Sequence, residues 1–119
     1  MNDLTTQRLR DALAAAEAIP KFLGETSLDE YKSDFGLRLQ IERLLEIVGE
    51  ALKHARDLEP DLEDWKRIPE MHAIIGMRNR IIHGYDRVDD ELVWSVARNN
   101  IGVLCRQLID ILAGDGERS

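Results

Sequence analysis

An all-α bundle is the fold class this sequence predicts, and three observations predict it. Apolar residues recur at steps of three and four over several long stretches, no segment alternates with a period of two, and only three prolines interrupt the 119 residues. With 44% hydrophobic and 33% charged residues, the chain is globular and long enough to bury a core without disulfide or metal staples. The expected organisation is one domain over residues 1–114 followed by a disordered tail, "DGERS", at 115–119.

Four long helices and a short one follow in order. The first runs from about Thr5 to Leu23, with Leu9, Leu13, Ala16, Ile19 and Leu23 on one stripe. "SLDE" then offers a capping box, in which the Ser27 hydroxyl accepts from the backbone N–H of Glu30 and the Glu30 carboxylate reaches back. It opens a short helix holding Tyr31. The second long helix, "GLRLQIERLLEIVGEALKHA", aligns Leu37, Ile41, Leu44, Leu45, Val48, Leu52 and Ala55, while Arg38, Glu42, Arg43, Glu46 and Lys53 occupy the remaining faces. Gly49 inside so strong a helix points to close approach of a neighbour. "EPDLED" breaks the pattern. The third helix starts near Pro69, a residue suited to a first turn, and carries Met71, Ile74, Ile75, Met77 and Ile81. It is expected to end close to Gly84. The fourth opens on the acids of "DDE", places Leu92, Val96, Val103, Leu104, Leu108, Ile111 and Leu112 inward, and is expected to close at Gly114.

Net charge is −7 with a pI near 4.9, so the molecule as a whole repels nucleic acid and anionic membranes. The charge is uneven. From Lys66 to Arg87, five basic residues (Lys66, Arg67, Arg78, Arg80, Arg87) face two acids (Glu70, Asp86), a net of +3 that leaves −10 for the rest of the chain. That segment can present a local anion site, although a chance fluctuation on a solvated helix gives the same numbers. Cys105 is the only cysteine, which excludes an intramolecular disulfide and fits a reduced cytoplasmic setting. No run of apolar residues is long enough to span a bilayer, and the acidic, helix-periodic start does not read as a signal peptide.

Within the basic segment lies "RNRIIHGY", residues 78 to 85. Arginine and histidine form a minimal kit for cutting RNA without a metal, because the ribose 2′-hydroxyl is an internal nucleophile. Histidine moves the protons, its pKa lying near neutrality. Arginine holds phosphate through a planar, two-pronged fork. His83 and Arg78 are the candidates, with Asn79 placed to position the phosphate or orient the imidazole, and with Arg80 and Arg87 as weaker RNA contacts. On a straight helix, Arg78 and His83 stand about 140° apart and about 7.5 Å apart along the axis, so they cannot share a face. Either the helix ends near Gly84 and lets His83 swing back, or two copies pair so that their motifs converge; a two-fold dimer does this naturally. A purely structural reading also exists, in which Arg78 and His83 favour a helix C-terminus through its carbonyl dipole and Tyr85 simply packs.

The run "IPEMHAIIGMRNRIIHGYDRVDDELVW" resembles the signature of HepT-like proteins, HEPN-superfamily toxins encoded beside a minimal nucleotidyltransferase antitoxin. The motif positions correspond to Arg78, Asn79, His83 and Tyr85. "IERLLEIVGEAL" resembles that family's second-helix segment and "DDELVW" its entry to the last helix, so the likeness spans roughly residues 31 to 94. The resemblance implies a HEPN-like, antiparallel helical bundle forming a symmetric homodimer. It also implies a metal-independent endoribonuclease acting on tRNA or mRNA as the toxin of a type II toxin–antitoxin system. It further implies AMPylation of Tyr85 by the partner nucleotidyltransferase, which would block the phosphate site; no cofactor is implied. A rival reading makes the chain a non-catalytic helical adaptor that serves as substrate for that nucleotidyltransferase.

Other chemically suggestive residues read as structural. His54 and His72 lack metal-ligand spacing. Glu42 and Glu46 lie one turn apart on a charged face, with an ion pair inside the bundle as the alternative for Glu42. Trp65 and Trp94 flank apolar runs as anchors, and Cys105 belongs to the core.

Overall fold

The computed structural model describes residues 1–83 and 88–118, with side chains described as far as Gly114. It is all-helical over these residues, as the periodicities predict. Asn2 caps helix α1 (Asp3–Leu23) by accepting from the Thr5 N–H at 2.8 Å, and Gly24, with φ of 52°, closes it. The capping box is present in both halves: the Glu30 N–H donates to Ser27 Oγ at 3.2 Å and the Ser27 N–H to Glu30 Oε1 at 3.1 Å. It starts α2 (Leu28–Ser33), whose Tyr31 is fully buried. Asp34 accepts from the Leu37 N–H at 3.0 Å and opens α3 (Phe35–Leu58). A single 3-10 turn, Glu63–Arg67, fills the expected break and leads to α4 (Met71–Ile82).

Helix α3 is the axis of the bundle. Its stripe of Ile41, Leu45, Val48, Leu52 and Ala55 meets Leu9, Ala12, Ala16, Ile19 and Leu23 of α1, all of them at most 2% exposed. Side chains of this kind each contribute about 1.5–3 kcal/mol when fully buried. Its neighbouring face receives α4 through Ile74, Ile75 and Met77. Helix α6 closes the bundle against α1. Among the described residues no helix is long and apolar enough to cross a membrane.

The last helix departs from the simple pattern twice. It divides into α5 (Asp90–Ser95), a π-turn (Val96–Asn100) and α6 (Ile101–Arg118). In the π-turn the Ile101 N–H bonds the Val96 carbonyl, a five-residue step that inserts one extra residue and shifts the buried stripe. Val93 and Ile101 are therefore core residues, whereas Leu92 and Val103 lie only partly buried. The turn has a use. Arg98 donates to the carbonyl oxygens of Gly24 and Thr26, Trp94 Nε1 donates to Thr26 O at 3.1 Å, and Asn100 donates to Glu70 Oε2 at 2.9 Å. The second departure is at Gly114, which does not end the helix; α6 continues to Arg118. A glycine stops a helix by taking positive φ, and among the described residues only Gly24 does so.

Both tryptophans are anchors, Trp65 donating to Glu59 O at 2.8 Å, and Cys105 lies partly buried against the core. Burial holds the Cys105 thiol above its ordinary pKa, with Glu17 adding to the effect.

Gly49 marks the crossing of α3 and α4. A Cβ built there would lie 2.3 Å from Arg78 Cβ, 2.9 Å from Arg78 Cγ and 3.2 Å from the Ile74 carbonyl oxygen. None of these atoms is the free end of a flexible chain, so the helices must part to admit alanine. Gly76, by contrast, has nothing within 4 Å of its virtual Cβ. Gly49→Ala should lower the thermal midpoint, overpacking costing about 1–3 kcal/mol against about 1 kcal/mol of helix propensity gained. Gly76→Ala should leave the midpoint unchanged or raise it. Parallel melts followed by circular dichroism check the pair.

Candidate active site

The close approach at Gly49 sets where Arg78 can go. With its Cβ pressed against the glycine, the Arg78 side chain runs along α3, and its guanidinium reaches Glu50 Oε2, the next residue of that helix. Nη1 of the same group donates to Asn79 Oδ1 at 2.8 Å. The Arg78 side chain is 17% exposed and that of Glu50 is 60% exposed, so the guanidinium is half-enclosed while the carboxylate that meets it faces solvent. Two acceptors thus fix the plane of the arginine fork and leave donors of Nη1, Nη2 and Nε for a further acceptor. Asn79 therefore orients the arginine.

His83 caps the C-terminus of α4, exposed, with its N–H bonded to the Asn79 carbonyl at 3.1 Å. Its φ of −81° keeps the Cα–Cβ bond close to the helical direction. The backbone therefore does not swing the His83 Cβ back toward Arg78, and the two residues leave α4 with the divergence of about 140° that five helical residues impose. Arg80 is exposed on α4. Gly84, Tyr85, Asp86 and Arg87 lie outside the described residues, and with them the expected glycine stop, the tyrosine of the motif and its last arginine.

Arg78 opens onto a cleft of about 360 Å³ between α1, α3 and the end of α4. Arg8, Arg43, Glu46, Glu50, His54 and Arg78 supply its polar lining, and Ile47, Ala51 and Ile82 its apolar part; His83 does not line it. Sequence reasoning passed over Arg8 and Glu50 and weighed His54 only as a metal ligand. The signal was present in part: Arg43, Glu46, Glu50 and His54 recur at steps of three and four on α3, beside the glycine that marks a crossing. A second feature lies at the other end of α3. There Arg38 pairs with Asp90 at 3.9 Å, and burial, reinforced by the charge of Asp90, raises the Glu42 pKa above its ordinary value. Glu46, one turn on, pairs instead with Arg43 at 3.6 Å.

The described residues thus form a helical bundle that carries an arginine and a polar neighbour in the last turn of α4 and a histidine at its cap. The family profile described as "Ribonuclease HepT-like" matches residues 12–111, and the chain belongs to this family of the HEPN superfamily. Among named relatives, a "Probable ribonuclease HepT" of Thermococcus cleftensis is 31% identical over 96 residues, 78% of this chain and 82% of the relative. "Putative RNase MJ0125" of Methanocaldococcus jannaschii is 29% identical over 105 residues, 87% of each chain. No solved structure matches the chain at comparable significance.

The two acceptors on Arg78 should differ in worth. Asn79 bonds a half-enclosed guanidinium, so Asn79→Ala should cost about 1 kcal/mol. Glu50 is largely solvated, so Glu50→Ala should cost no more than about 0.5 kcal/mol. Urea unfolding midpoints at equal slope measure both, and the opposite ranking would mean that Asn79 does not restrain the arginine.

Proposed function

We propose that this protein is the toxin of a type II toxin–antitoxin pair, a metal-independent endoribonuclease that acts on tRNA or mRNA in the cytoplasm as a symmetric homodimer. The observation that carries the reading is the poise of Arg78: pinned by Gly49, oriented by Asn79 and Glu50, and open to a cleft on the side where a phosphodiester would lie. In this scheme an imidazole of His83 takes the proton of the 2′-hydroxyl. The O2′–P bond forms, the P–O5′ bond breaks, and an imidazolium returns a proton to the 5′ oxygen, leaving a 2′,3′-cyclic phosphate and a 5′-hydroxyl. Arg78 and its remaining donors hold the equatorial oxygens as negative charge gathers there. Arg80 and Arg87 contribute weaker backbone contacts.

The divergence of Arg78 and His83 on a single α4 supports the homodimer. A two-fold axis lets the arginine of one copy face the histidine of the other. Exposed apolar side chains suited to such an interface lie at and beside the cleft: Ile82 (39%) lines it, and Phe22 (50%) and Leu39 (52%) line the groove next to it. Arg43 lines both the cleft and the apolar groove of Phe22, Leu39 and Leu44, which makes the two surfaces continuous. Tyr85, two residues after His83, is the acceptor of AMP from a nucleotidyltransferase antitoxin. A phosphodiester attached there would compete for Arg78 and repel RNA, giving a reversible block.

Two measurements test this reading. Protein freed of its partner and incubated with total RNA in EDTA should cleave it, while His83→Ala should not; intact RNA with both proteins would leave the adaptor role. Protein co-expressed with its nucleotidyltransferase neighbour should gain whole AMP increments by intact mass, and Tyr85→Phe should abolish them. Increments that persist in the phenylalanine variant would exclude Tyr85 as the acceptor.

A further inference from the structure

The cleft extends well beyond the reach of one phosphate, and its far wall has no task in the scheme above. Arg43 and His54 are separated by eleven residues of α3, about 16 Å along the axis, with Arg78 entering between them at Gly49 and Glu50. Arg8 of α1 completes the wall. The guanidiniums here are under-committed. Among the described residues, Arg8 has one long ion pair, 3.5 Å to Asp11, and its buried Nε has no acceptor. Arg43 is 68% exposed and pairs with Glu46 only at 3.6 Å. A buried donor without an acceptor is uncommon in a folded protein, and the 31% exposed Arg8 side chain can turn toward an acceptor in the cleft.

Charge gives the same answer. Among the described lining residues, three arginines against the carboxylates of Glu46 and Glu50 give a net positive charge in a chain of net −7. The two carboxylates face the same cleft and partly neutralise it, which keeps the guanidiniums oriented while it is empty. An anionic polymer that displaces them gains several charge-assisted bonds at once.

We propose that Arg8, Arg43 and His54 form a backbone subsite for single-stranded RNA flanking the scissile phosphodiester at Arg78. The subsite rests on the ribonuclease reading, and it confines RNA contact to one narrow basic strip, which is how an acidic protein can handle a polyanion. His54 lies one turn beyond Glu50 and offers a ring face or an N–H to the nucleotide next to the one held by Arg78.

The test uses the full-length protein and a fluorescent 12-nucleotide RNA carrying 2′-O-methyl groups throughout, which binds but has no internal nucleophile. Anisotropy titrations at several salt concentrations give affinity and salt slope. Arg8→Gln and Arg43→Gln should each weaken binding by about three- to tenfold and flatten the salt slope by about 0.7 for the lost phosphate contact. His54→Gln should weaken binding with less change in slope. Arg10→Gln, an exposed arginine of α1 outside the cleft, should change neither beyond the small effect of net charge. Circular dichroism confirms the fold of Arg8→Gln, and the well-exposed Arg43 keeps the test valid should that variant unfold. Cleft variants that bind as the parent does, or a loss equal to that of Arg10→Gln, would overturn the subsite. Absence of cleavage of unmodified RNA by the parent, with binding of the methylated probe retained and sensitive to the cleft variants, would overturn the ribonuclease reading and leave the cleft as an RNA-binding surface.

Discussion

Two helix backbones come closer at Gly49 than any side chain would permit, and the position of Arg78 follows from that contact. Alanine at this point would overlap Arg78 Cβ and crowd the Ile74 carbonyl. Removing the methyl group lets α4 settle into α3, so the arginine leaves α4 already confined to one channel. Its length then brings the guanidinium to Glu50, one residue beyond the glycine, and the neighbouring Asn79 holds its other prong. A floppy residue with about 2 kcal/mol of rotamer entropy is thereby ordered before any substrate arrives. Preorganised charge of this kind is the most effective contribution a protein makes to a reaction that develops negative charge.

The same contact divides labour between the faces of α4. Ile74, Ile75 and Met77 bury themselves against the bundle, Arg78 lies along the seam, and His83 emerges at the cap on another side. Under the proposed reading, a single copy carries the two halves of an acid–base and phosphate-binding pair on different sides of α4. Under the proposed dimer this is an advantage, because activity then depends on assembly and a modification on one tyrosine can obstruct a composite site. The apolar side chains around the cleft and the basic strip inside it fit that arrangement, with greasy margins suited to a second copy and the guanidiniums kept for phosphate.

Much of this was legible in the sequence, for physical reasons. Helices α1 and α3 announce themselves because each needs one continuous stripe to face the core, and Ser27 with Glu30 specifies a start through two local hydrogen bonds. Gly49 could be identified as a point of close approach because glycine in a long amphipathic helix costs stability that packing must restore. Which residue it admits could not be read, since that depends on the pairing of distant helices. The π-turn at Val96–Asn100 was hidden for a similar reason: the bonds that favour it, from Arg98 to the α1–α2 connection and from Asn100 to Glu70, are long-range. Gly114 misled because glycine ends a helix only when the backbone turns left-handed. Arg8 escaped notice, and His54 was weighed only as a metal ligand, because nothing along the chain places α1 beside the end of α4.

The most direct measurement of the central claim is the specificity constant for RNA cleavage by Gly49→Ala, taken well below its thermal midpoint, beside Gly76→Ala and the parent. Displacement of a catalytic group by about 1 Å can cost about a hundredfold in rate. The account predicts that Gly49→Ala, still helical, loses at least about tenfold in kcat/KM while Gly76→Ala stays within about twofold of the parent. A folded Gly49→Ala protein that cleaves as fast as the parent would contradict it.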